Sequence, residues 1–175
     1  MHPLRIGSLY GLIAAVLVNG IFLINHAYLN SSVWLRILGF VLPVVALYLA
    51  GHYAGRHERF QLSTAVTGGL RSTLHGTGAG IVAGLVMVVL SQLAYFLNPL
   101  VKGLPNDTQF GPSSLVGING ALGATLNVAV GILSIIGWFV GGLLLGTVGG
   151  AFGDGQAHRE LKSGKVPTGT AAPSA

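Results

Sequence analysis

Four apolar segments, at 6–29, 33–53, 74–97 and 122–152, constrain this chain more than anything else in its sequence. About 20 apolar residues suffice for one helical crossing of a bilayer, so all four qualify. The last is longer than a crossing needs and must tilt, bend or project past the membrane. Composition points the same way. Charged residues make up 7% of the chain, against about 25% in a soluble domain, which is too little polar surface to stay in water. The expected fold class is all-α: a polytopic membrane protein whose four transmembrane helices form one glycine-rich bundle over residues 1–162. The tail at 163–175, rich in Pro, Thr, Ala, Gly and Ser, is expected to be disordered.

Glycines recur every fourth residue near one end of each segment. Gly7 and Gly11 open the first, and Gly51 and Gly55 close the second. Gly76, Gly80 and Gly84 open the third, while Gly142, Gly146 and Gly150 close the fourth. Residues four apart share a helix face, and a face without side chains lets backbones approach closely. Because the segments alternate in direction, all four sets fall at one depth. Close packing at that side of the bundle is expected.

Charge distribution sets the expected orientation. With both termini in the cytoplasm, Arg5, Arg56, Arg59, Arg71, Arg159, Lys162 and Lys165 lie inside, and only Arg36 and Lys102 lie outside. Short cytoplasmic loops are enriched in Lys and Arg, which favours this arrangement. A cleaved signal peptide is the competing reading of the first segment. Its apolar core is longer than a signal core, and no clean small-x-small cleavage site follows, so an uncleaved helix is expected. The formal charge of +5 has no basic helix or aromatic–basic platform with it, so no nucleic-acid partner is expected. Anionic lipid headgroups are, through Arg56, Arg59, Arg71, Arg159, Lys162 and Lys165. Arg36, beside Trp34, reads as a headgroup anchor at the opposite interface.

Residues able to carry chemistry are scarce. There is no cysteine, and the acidic residues Glu58, Asp107, Asp154 and Glu160 all lie outside the apolar segments. Ion-coupled transport and acid–base catalysis at membrane depth generally need an intramembrane carboxylate. Gly76-Thr77-Gly78-Ala79-Gly80 lacks the strand and the Lys-Ser/Thr of a phosphate loop. His52, His57, His75 and His158 gather toward the expected cytoplasmic side without metal-site spacing. No catalytic residue, metal or cofactor is expected.

Asn19, Asn25, His26, Ser91, Gln92, Asn127 and Ser134 are among the polar residues within the segments. Such groups usually hydrogen-bond between helices. Asn19, Gln92, Asn127 and Ser134 are also the candidates to line a polar path. Pro43 frees the carbonyl of Gly39, which makes Gly39–Pro43 the candidate hinge. Short similarities between 27–30 and 94–98, and between 53–59 and 152–160, are compatible with a duplicated hairpin. The pattern resembles in a generic way the small glycine-rich four-helix membrane proteins of bacteria, so a bacterial plasma membrane is the expected location. The expected function is non-enzymatic: helix–helix association as a homo-oligomer, complex subunit or assembly factor. The alternative is a small channel or facilitator for an ion or uncharged solute.

Overall fold

A computed structural model describes residues 3–28, 33–62, 68–97 and 121–164. They form four helices: α1 (Pro3–Tyr28), α2 (Val33–Gln61), α3 (Gly68–Leu97) and α4 (Ala121–Lys162). Each is long and apolar enough to cross a membrane. Three helices outrun their apolar segments. Helix α2 continues from 53 to Gln61, α3 starts at Gly68 rather than 74, and α4 continues from 152 to Lys162. Apolar runs mark only the stretch solvated by hydrocarbon. The added turns are polar and are held by contacts between helices. Helix α4 stops where Gly164 turns left-handed with φ 70°, and the Ser163 and Gly164 amides donate to the Arg159 and Leu161 carbonyls. This is the usual way a glycine ends a helix.

Helices α2 and α3 form a central antiparallel pair. Helix α1 lies against both on one side and α4 against both on the other, and α1 and α4 do not meet among the described residues. The pairings along each interface set the directions. Gly7 faces Ala79, Gly11 faces Ala83 and Asn19 faces Ser91, so α1 runs parallel to α3. Gly51 faces Gly146 and Gly55 faces Gly150, so α2 runs parallel to α4. A hairpin repeated about an axis along the bundle would exchange α1 with α3 and α2 with α4. It would then match the α2–α3 contact with an α1–α4 contact, which the described residues do not make. The arrangement therefore lacks the symmetry of a duplicated hairpin.

Small residues fill the core. Ala46, Ala50 and Ala54 of α2 are buried at four-residue spacing, as are Ala79 and Ala83 of α3, together with Ala14 and Ala15 of α1. The largest fully buried side chains are Leu47, Pro43 and Ser72. With so little side-chain volume between them the helices come close, and dispersion between backbones replaces the packing of large side chains. The big apolar residues face outward: Leu9, Leu12, Ile13 and Val16 on α1, and Leu133, Ile136, Phe139, Val140 and Leu144 on α4. Large exposed apolar surface is a liability in water, and it matches hydrocarbon. Length, composition and surface are those of a membrane protein.

Candidate functional site

The most distinctive part of the molecule is the end of the bundle where α1 and α3 begin and the long runs of α2 and α4 conclude. Here α2, α3 and α4 meet glycine against glycine. A methyl group added at Gly76 would collide with the Cα of Gly150 and lie 2.9 Å from both the Gly146 and the Gly51 carbonyl oxygens. One added at Gly80 would strike the Gly142 carbonyl and lie 2.6 Å from the Cα of Gly146. At Gly51 it would meet the backbone of Gly146, and at Gly55 it would lie 2.6 Å from the Gly150 oxygen. Farther along α3, a methyl group added at Gly84 would lie 2.7 Å from the Trp138 carbonyl oxygen. In the opposite direction Gly142, Gly146 and Gly150 would each meet α3 backbone. Atoms on both sides are main chain and cannot swing away. Helix α1 joins by the same device: a methyl group added at Gly7 or Gly11 would lie 2.6 Å from the Ala79 or Ala83 carbonyl oxygen and against Val82 or Val86.

Two further glycines, Gly149 and Gly153, press on α2. Additions there would collide with the carbonyls of Tyr48 and His52. Their four-residue spacing was visible in the sequence, but the adjacent Gly142–Gly146–Gly150 series masked it. Helix α4 thus carries two glycine rows, one toward α3 and one toward α2.

Just beyond the glycines, the polar turns of three helices form a charge cluster. Arg56 of α2 grips Glu160 of α4 with two hydrogen bonds, 2.8 and 3.1 Å long. Arg59 Nε lies 3.5 Å from Asp154 Oδ1, and Arg59 Nη2 contacts His158 Nδ1 at 3.0 Å. Asp154 also accepts a 2.7 Å hydrogen bond from Ser72 in the first turn of α3, where a negative charge complements the helix dipole. Glu58, only 7% exposed, sits between Arg71 at 3.1 Å and His75 at 3.6 Å. Each acidic side chain in this cluster ties its helix to another. Thr77 and Thr147 add a 2.9 Å hydrogen bond between α3 and α4. A Tyr10–Tyr53 stack, with centroids 5.9 Å apart, joins α1 to α2.

The basic residues expected to meet lipid therefore divide. Arg56, Arg59 and Arg71 are engaged by carboxylates of the same chain. Arg159 and Lys162 are exposed, and Lys165 lies outside the described residues. Acidic partners that offset these arginines come from α4, about a hundred residues away in sequence, or from the neighbouring helix. Residue types alone give no hint of that pairing.

Of the polar-path candidates, the side chains of Asn19 and Gln92 are described. Asn19 donates to the Ala15 carbonyl at 2.7 Å and to Ser91 Oγ at 3.2 Å, so its amide is spent on the α1–α3 interface. Gln92 is half-buried on α3. The side chains of Asn127 and Ser134, like those of Asn25, His26 and Arg36, lie outside the described residues. Helix α4 does not touch α1, which carries Asn19. Pro43 and Gly39 are buried within an uninterrupted α2. Among the described residues no group of three His, Asp or Glu is placed to hold a metal ion. No protein-family model matches the chain, and no curated protein or solved structure is significantly similar to it.

Proposed function

We propose that this is a non-enzymatic integral membrane protein that works by association, as a homo-oligomer, a subunit or an assembly factor, with both termini cytoplasmic. The observation that carries this reading is the three-helix glycine contact. It joins α2, α3 and α4 backbone to backbone, and Arg56, Glu58, Arg59, Arg71, Asp154 and Glu160 beside it form ion pairs between helices. In this reading the glycines act as a zipper inside the protomer. Association with a partner then falls to the outward faces of α1 and α4, where lipid competes with protein on nearly equal terms. Exposed Arg159 and Lys162 are the contacts for anionic headgroups, each contributing on the order of 1 kcal/mol near a charged leaflet.

Native mass spectrometry of the tagged protein, extracted gently from its own membrane, tests the proposal. A defined homo-oligomer or a stoichiometric partner is expected. A lone monomer carrying only lipid would overturn it. Single cysteines placed at Gln61 and Ser163 test the orientation, because the chain has no other thiol. Both are expected to react only with reagents that cross the membrane.

A further inference from the structure

Two histidines in the charge cluster face neighbours of opposite sign, Arg59 beside His158 and Glu58 beside His75. A guanidinium donates and never accepts. The His158 nitrogen 3.0 Å from Arg59 Nη2 must therefore offer a lone pair, leaving the ring neutral with its hydrogen on Nε2. His75 is the reverse case. Its Nδ1 lies 3.0 Å from the Arg71 carbonyl and must donate to it, so a neutral ring turns a lone pair toward the Glu58 carboxylate, 3.6 Å away. Adding a proton to His75 replaces that opposition with attraction. Adding one to His158 sets two cationic donors face to face.

We propose that this end of the bundle is a pH-sensitive junction, in which protonation of His158 loosens the end of α4 from α2 while protonation of His75 tightens α3 onto α2. Imidazole is the side chain most readily used as a pH switch. The charged groups of the cluster set its direction. On α2 stand Arg56, Glu58 and Arg59, with His57 beside them. Helix α3 contributes Arg71, with the Ser72 hydroxyl on Asp154, and α4 contributes Asp154, Arg159, Glu160 and Lys162. Asp154 already serves Arg59 and Ser72, and a protonated His158 one turn along α4 competes with Arg59 for it. The Arg56–Glu160 pair remains as the pivot about which the end of α4 moves. This inference rests on the cluster alone and does not depend on the association reading.

The absence of cysteine permits a direct test with paired spin labels on the full chain in lipid nanodiscs. One pair, at Gln61 and Ser163, reports α2 against α4, and the other, at Gln61 and Leu70, reports α2 against α3. All three positions are exposed. Between about pH 8 and about pH 5.5, above the ordinary carboxylate range, the α2–α4 distances are expected to broaden and lengthen while the α2–α3 distances narrow. His158→Gln can still accept from Arg59 but cannot titrate, and it should hold the α2–α4 pair unchanged at both pH values. His158→Arg should show the loosened distribution throughout. Identical wild-type distributions at the two pH values, or an acid-induced broadening that survives in His158→Gln, would overturn the proposal. The Gln variant keeps the test decisive should the Arg variant fail to fold.

Discussion

Helix α4 has an inward side and an outward side, both rich in glycine, and only one of them is packed. On the inward side Gly142, Gly146, Gly149, Gly150 and Gly153 meet the backbones of α2 and α3. On the outward side Gly137, Gly141 and Gly155 have nothing within 4 Å of an added methyl group. Gly137 and Gly141 have the same spacing as Gly142 and Gly146. Spacing therefore shows that a face can pack closely, and the register of the neighbouring helices decides which face does. A glycine costs about 1 kcal/mol against alanine in a helix interior. Only the inward set recovers that cost through contact.

The sharpest way to break this comparison is to fill the inward face. Gly80→Leu or Gly146→Leu should cost more than about 3 kcal/mol, the upper end for overpacking, because the atoms in the way are main chain. Unfolding in mixed micelles would show it as loss of a cooperative transition, and a variant of near wild-type stability would remove the packing account. Next in size is Asp154→Ala. It strips Arg59, 13% exposed at its side chain, of its ion-pair partner and Ser72, fully buried, of a hydrogen-bond acceptor. The expected loss is about 2 kcal/mol, and Asp154→Asn should recover part of it by keeping the bond from Ser72.

Smaller again is Asn19→Leu, with an expected loss of about 0.6 kcal/mol, the typical value of an interhelical hydrogen bond in a bilayer. The same variant separates association from conduction. Proteoliposomes of wild type and Asn19→Leu should leak no faster than empty ones, whereas a wild-type flux altered by the substitution would restore the polar-path reading. The smallest effect belongs to the outward face. Gly137→Ala and Gly141→Ala should be neutral or stabilising by up to about 1 kcal/mol, and marked destabilisation of the monomer would mean that this face is not open.

The four helices were legible because lipid imposes a simple demand, a long apolar run, that needs no knowledge of neighbours. Their full extents were not. The turns carrying Arg59, Arg71 and Glu160 look like loop by composition, and they are helical because each finds an opposite charge on another helix. The glycine rows were legible as spacing, yet Gly149 and Gly153 escaped notice, and nothing in the sequence distinguishes Gly141 from its neighbour Gly142. Arg56 and Arg59 pair with Glu160 and Asp154 of α4, and a charge count knows nothing of where those carboxylates will stand. Asn19 was legible as a residue needing a partner, but its partner, Ser91, depended on the register between α1 and α3. The limits share one cause: every missed feature is a relation between helices rather than a property of one.

The length of α4 beyond its glycine contact has a mechanical consequence. From Gly153 to Lys162 the helix is continuous, a rigid arm of roughly 14 Å at 1.5 Å per residue. A packed glycine seat has no side chains to interlock, so it resists separation more than it resists rocking. A tilt of about 10° there would carry the tip of such an arm about 2 Å, enough to part a hydrogen-bonded ion pair. The seat acts as a fulcrum, and whatever pulls on Arg159 or Lys162 at the tip is felt, reduced in amplitude and multiplied in force, where the three backbones meet.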